Sequence, residues 1–222
     1  VGSDRAIWTG NVFSTVGRLQ AAAQDSEAMA RVHDLRFALD QILAGPMAAQ
    51  IDASRLIAAG HSYGANTTLL AVGAQVERDG RLLDLRDPRL KAAIVISAPP
   101  FYGEASFGRI LGGIAVPSLH ITATDDIIRV PGYYSPASDR LAVFDATGGP
   151  AKTLAVFAGG SHNIFSDRGV SGGAALNAQV KTATQALSMA FLGSVFEGDA
   201  QGLGQWAQRF GGLLARTTIP SR

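Results

Sequence analysis

Apolar and polar positions follow two different periods along this chain. Short continuous apolar runs occur at Leu56-Ile57-Ala58-Ala59 with Gly60, at Ala92–Ser97, at Leu119–Ala123 and at Thr153–Ala158. Such runs suit strands of a parallel sheet covered on both faces. Stretches of helical composition lie between them. Ala28–Leu43 reads as an amphipathic helix, Tyr63–Val76 as a helix directly after the first strand, and Ser106–Gly113 as a short helix or loop. Ala174–Phe196 is a long helix with Val180, Leu187, Phe191 and Val195 on one stripe, and Gly202–Leu214 is a final helix. Thr153–Ala158 is then the last strand. Val1–Ser26 reads as loop with a helical piece near Trp8–Gln20, while Gly103–Gly113 and Val130–Pro150 are the longest irregular stretches. Loops of that length are often functional. The alternation of strand and helix predicts an α/β fold with a mostly parallel sheet and helices on both faces. Residues 1–222 are read as one domain.

One junction in this pattern carries chemistry. Gly60-His61-Ser62-Tyr63-Gly64 lies between the first apolar run and the helix that follows it. A G-x-S-x-G sequence is common by chance among 26 glycines. Strand before and helix after make it meaningful, because that turn holds a strained serine out over the end of a sheet. Side chains at both flanking glycines are expected to collide with the neighbouring strand and helix. The backbone N–H of Tyr63 is the first of the helix and is placed to stabilise an oxyanion. The plainer alternative is a glycine-rich turn whose Ser62 only caps the helix.

A nucleophilic serine needs a base, and the base needs an orienting acid; on this architecture the chain order is Ser, acid, His. His33 falls in a helical stretch, His61 adjoins Ser62 with its side chain directed elsewhere, and His120 lies within a strand. His162 follows the last apolar strand and the loop Gly159-Gly160-Ser161, where a general base belongs. The acid should end the preceding strand, and Asp125 and Asp126 both stand there. Neighbours in an extended segment point to opposite sides, so only one can reach His162. Counting along the strand end favours Asp126, with Asp125 as the alternative.

Composition narrows the field. A net charge of +1 gives no electrostatic case for nucleic acid or acidic membranes. No apolar run approaches the roughly 20 residues of a membrane span. The absence of cysteine removes disulfides and thiolate metal sites. Neither a metal-binding H-E-x-x-H pattern nor a P-loop is present, so no metal or cofactor is expected.

The Gly60–Gly64 turn, the Ala123–Asp126 strand end and the Gly160-Ser161-His162 loop resemble the α/β-hydrolase superfamily. Two further segments, Arg31–Asp40 with its R-x-x-D-L pattern and Asp52-Ala53-Ser54-Arg55-Leu56 leading into the first strand, resemble dienelactone-hydrolase-like bacterial esterases. That group is related to platelet-activating-factor acetylhydrolases and cutinases. The resemblance runs from about Val1 to Phe196. It implies an α/β-hydrolase fold, serine ester hydrolysis with Ser62, Asp126 and His162 as catalytic residues, and a secreted or periplasmic setting. True dienelactone hydrolases use a cysteine nucleophile, so lactone activity does not carry over. The resemblance also implies several strands upstream of the first one seen here, with a loop supplying a second oxyanion donor. Nothing in Val1–Gln50 reads as those strands, so the chain is expected to hold the C-terminal two-thirds of the fold. A second chain or an N-terminal segment is expected to cover the open sheet edge.

The expected partner is a small-molecule ester. Trp8, Phe101, Tyr102, Tyr133 and Tyr134 are candidate substrate-binding residues, against ordinary loop packing as the alternative. A non-catalytic binding protein of the same fold and an acyltransferase are the competing functions.

Overall fold

The computed structural model describes residues 25–78, 80–101, 106–130, 133–149, 151–166 and 173–219. Trp8, Tyr102 and the helical piece expected near Trp8–Gln20 lie outside them. Helix α1 (Asp25–Ala44) leads through a short 3-10 turn to strand β1 (Ile57–His61) and helix α2 (Tyr63–Ala71). A hairpin follows, β2 (Gln75–Arg78) with β3 (Arg81–Asp84), and then strand β4 (Ala92–Ile96), helix α3 (Phe107–Leu111) and strand β5 (Ser118–Asp125). A second hairpin, β6 (Ile128–Val130) with β7 (Tyr133–Ser135), precedes helix α4 (Ser138–Ala146) and strand β8 (Lys152–Ser161). Helices α5 (Ala174–Glu197) and α6 (Gly202–Phe210) and strand β9 (Leu214–Thr217) complete the described chain.

The central sheet has the order β1-β4-β5-β8-β9. Its first four strands are parallel and β9 is antiparallel to β8. The fold is therefore α/β with a mostly parallel sheet. Alternation along each strand sorts side chains onto two faces. Ala58, Ala93 and Val95 join one core cluster with Val32, Leu69, Leu70, Ile110 and Val143, from α1, α2, α3 and α4. Ile57, Ala92, Ile94, Leu119 and Ile121 join another with Val180, Leu187, Phe191 and Trp206, from α5 and α6. The crossovers after β1, β4 and β5 step across the sheet in one direction, so the same handedness puts α2, α3 and α4 on one face. Leu187 and Phe191 are fully buried, each side chain contributing about 1.5–3 kcal/mol.

Several expected boundaries move. The helix after the serine ends at Ala71, not Val76. Ala74 N–H donates to Leu69 and Gly73 N–H to Leu70, a helix stop that places Gly73 at φ +120, and the chain then enters β2. The stretch Val130–Pro150 is not irregular: β7 and α4 lie within it. Helix Gly202–Leu214 stops at Phe210, and Thr153–Ala158 does not belong to the last strand, because β9 pairs with β8. Four residues of β9 are too few to show a period in sequence. Helix α1 buries Ala28 and Val32, but Phe37 and Ile42 are exposed, so its stripe faces the core only at one end. Among the described residues β1 pairs with β4 alone.

The segments that carried the finer resemblance have local structural roles. Arg36 donates to the carbonyls of Leu85 and Arg86, and Asp40 pairs with Arg89, which also binds Asp87. These bonds tie α1 to the approach to β4. Asp52 accepts from the backbone and hydroxyl of Ser54, a side-chain turn that directs the chain toward β1.

Candidate active site

The C-terminal ends of the four parallel strands lie along one edge, where ligands bind in open α/β sheets. Ser62 follows β1, Ser97 follows β4, Asp126 follows β5, and His162 follows β8. The turn at Ser62 has φ 58 and ψ −125, a conformation that a non-glycine residue seldom adopts. The Ser62 N–H donates to the carbonyl of Ile96, and Ala65 N–H donates to the carbonyl of Ser62. The turn is thereby tied to β4 on one side and to α2 on the other. A Cβ on Gly60 would lie 2.2 Å from the carbonyl oxygen of Gly64, so the turn closes only over glycine. Gly64 differs from expectation. A Cβ there meets nothing within 4 Å among the described residues, because it points off the first turn of α2 rather than back at the strand. Tyr63 opens α2, and its backbone N–H stands at the positive end of the helix dipole beside Ser62.

His162 reaches the serine because β8 bends before it. Gly159 and Gly160 have φ +74 and +89, and the β5–β8 register shifts between Ala123 and Asp125. Nε2 of His162 lies 2.7 Å from Ser62 Oγ, and Nδ1 lies 2.7 Å from Asp126 Oδ1. Asp126, not Asp125, makes this contact. Asp125 is exposed while Asp126 is fully buried. The His162 ring keeps 14% of its surface open, and Ser62 is half-buried. Serine, imidazole and carboxylate thus form one row of hydrogen bonds with a wet end at the hydroxyl and a dry end at the acid.

The acid is held ionised against its surroundings. Burial pushes the Asp126 carboxyl up, but the hydrogen bond to His162, the Arg140 guanidinium, the charge on His162 and the Ser97 hydroxyl outweigh it, and its pKa is about 2. Thr122 donates its hydroxyl to Asp126 Oδ2 at 2.7 Å. Arg140 Nε lies 3.5 Å from Asp126 Oδ1. Ser97, at φ 53, is the second non-glycine residue with positive φ among the described residues, and it too borders this carboxylate.

The other histidines fall elsewhere. His33 is exposed on α1. His120 is buried, with Nε2 3.2 Å from Ser118 Oγ and its ring edge-on to Phe144. Burial, then the nearby Lys152, lowers its pKa to about 3. His61 is not idle: its Nε2 donates to the backbone carbonyl of His162, and the two rings lie 4.9 Å apart.

Of the described candidate substrate residues, Phe101 is 6% exposed and packed into the core with Ala98. Tyr133 is half-buried, and burial raises its phenol pKa. Tyr134 is exposed with Arg129 over its ring. Phe101 lies past the end of β4, and Tyr133 and Tyr134 open β7. A groove of about 620 Å³ lies between α5 and α6, bordered by Gln179, Thr182, Arg209 and Phe210, and none of Ser62, Asp126 and His162 lines it. Sequence reasoning missed His61 and Arg140. The second left a signal: Arg140, Val143, Phe144 and Thr147 follow helical spacing and are all buried, so the arginine belongs to an inward stripe.

No protein-family model matches the chain, and no curated protein matches it. Among the described residues no group of three or more histidine, aspartate or glutamate side chains is placed to hold a metal ion. No described helix is long and apolar enough to cross a membrane.

Proposed function

We propose that this chain is a serine hydrolase of the α/β-hydrolase superfamily that cleaves carboxylic esters through an acyl-enzyme. The observation that carries the reading is the row Ser62 Oγ, His162 Nε2, His162 Nδ1 and Asp126 Oδ1, with both links at 2.7 Å. Buried Asp, half-open His and a serine on a strained strand-to-helix turn are the parts that acyl transfer needs.

Ser62 Oγ attacks the ester carbonyl while His162 Nε2 takes its proton. The C–O π bond opens, and the resulting oxyanion meets the N–H of Tyr63 at the start of α2. Collapse of the tetrahedral species expels the alkoxide, which His162 protonates as it leaves. Water then attacks the acyl-serine as His162 takes its proton; the second tetrahedral species collapses, the bond to Ser62 Oγ breaks, and His162 returns the proton to Ser62 as the carboxylic acid departs. Asp126 keeps the proton of the neutral imidazole on Nδ1 and stabilises the imidazolium. An alcohol in place of water in the second half would make the same site an acyltransferase.

An organophosphonate probe tests the reading. Ser62 should be labelled, Ser62→Ala should not, and the wild type should turn over p-nitrophenyl acetate. Product analysis with added alcohols separates hydrolysis from acyl transfer. Equal labelling of Ser62→Ala, or a wild type inert to both probe and ester, would overturn it.

A further inference from the structure

Beside Asp126, facing the same carboxylate oxygen that His162 meets, stands a buried cation that the ester chemistry above does not use. Arg140 projects from α4 and is 3% exposed. Its Nη1 donates to Ser135 Oγ at 2.6 Å, and that hydroxyl donates onward to Asp139 Oδ2 at 2.6 Å. Its Nε faces Asp126 Oδ1 at 3.5 Å, yet neither Nε nor Nη2 makes a hydrogen bond of good geometry. A guanidinium buried with two unsatisfied N–H groups is costly, and such groups call for a reason beyond packing. Ser97 is buried beside it, and its hydroxyl borders the Asp126 carboxylate. A cavity of about 10 Å³ bordered by Ser97, His120, Thr122 and Arg140 has room for one water at most. Solvent therefore does little to screen Arg140 from Asp126.

We propose that Arg140 is a positioning residue for the Ser62–His162–Asp126 row, acting from beside the carboxylate oxygen that His162 meets, to fix its orientation and to offset its negative charge. A bare buried carboxylate would hold the imidazole proton too tightly. With Arg140 beside it, the acid stays charged while part of its field on the His162 ring is offset. Other groups share this field. Asp139 partly neutralises Arg140 from α4, the Tyr133 phenol approaches from β7, His120 lines the cavity from β5 with Lys152 behind it, and His61 lies against the His162 ring. Arg140 and Asp139 supply the opposed charges next to the acid.

The proposal rests on the serine-hydrolase reading for its kinetic effect, but the His162 ring can be followed without turnover. NMR titration of the His162 imidazole, assigned with His162→Asn, is measured beside the pH profile of kcat/KM. Arg140→Gln should raise the His162 pKa and the acid limb of the profile by roughly half a unit to one unit. Arg140→Lys, which keeps the charge, should return both toward wild type. Asp139→Asn removes the anion that dilutes Arg140 and should move both the other way. If Arg140→Gln does not fold, Asp139→Asn decides. A folded Arg140→Gln, or Asp139→Asn, with an unmoved His162 titration would overturn the proposal. A wild type inert to the organophosphonate while the imidazole shifts as expected would overturn the hydrolase reading and leave the role of Arg140 standing.

Discussion

His61 Nε2 donates to the backbone carbonyl of His162 at 2.9 Å, so the residue preceding Ser62 holds the loop that carries the imidazole. Two segments 101 residues apart are pinned at the point where their neighbours must meet. This bond fixes the separation of Ser62 and His162 through backbone rather than through the reacting side chains.

His61→Phe keeps a ring against His162 but removes the donor. We expect a kcat on p-nitrophenyl acetate reduced by about tenfold to a hundredfold, since small misplacements of a reacting pair cost that much. Thermal stability should change little. Wild-type kcat in this variant would show that the His162 loop is held by other means.

The two glycines of the turn should behave differently. Gly60→Ala places a methyl group 2.2 Å from the Gly64 carbonyl and should abolish probe labelling or folding. Gly64→Ala enters open space on a helix, where alanine is favoured over glycine by about 1 kcal/mol. It should fold with unchanged or raised thermal stability, as calorimetry would report.

Asp125→Asn alters an exposed side chain and should leave turnover within about twofold of wild type, the usual range for surface changes. Asp126→Asn removes the group that sets the His162 tautomer and should lower kcat by about 10⁴. Steady-state kinetics of the two variants compares them directly.

Acid should weaken the fold in two windows that overlap between about pH 4 and 3. His120 has its pKa lowered to about 3, first by burial and then by Lys152, so the unfolded chain binds a proton there before the folded one does. Its contribution is complete above an unfolded pKa of about 6.5 and is lost as pH falls toward 3. Asp126, lowered to about 2 despite the upward push of burial, keeps its contribution until pH falls below about 4 and loses it toward 2. That second contribution is roughly 2 kcal/mol. Urea unfolding from pH 7 to 2 should show His120→Gln flattening the upper window alone and Asp126→Asn the lower window alone.

Much of the strand pattern was legible because β4, β5 and β8 are buried on both faces over most of their length, and β1 reads as an unbroken apolar run although Ala59 is exposed. Ser62, Asp126 and His162 were legible because each follows such a run. What escaped was structure that borrows stability from elsewhere. Strand β9 exists by pairing with β8, where Leu154 N–H donates to the Thr218 hydroxyl and Thr217 donates its own hydroxyl to the Leu154 carbonyl. The hairpins β2–β3 and β6–β7 have strands of three or four residues, too short to display a period. The turn at Gly64 was misjudged because spacing identifies a motif but not which way each Cβ points. His61 and Arg140 act through contacts between distant segments, and a single sequence records no such pairing.

Ser62 stands at the end of the outermost strand described in the central sheet. Lys91 N–H donates to the carbonyl of Leu56 and Ser62 N–H to that of Ile96, so alternate residues of β1 face β4, while Ile57, Ala59 and His61 direct their backbone groups the other way. Asp126 and His162, by contrast, hang from β5 and β8 in the middle of the sheet. With that side uncovered, a strand with fewer rungs opens at lower free energy than the centre. On warming, the serine should leave its partners while the helices are still folded. Residual activity would then fall at a lower temperature than the circular dichroism signal, and the working heat limit of the molecule would be set by its rim and not by its core.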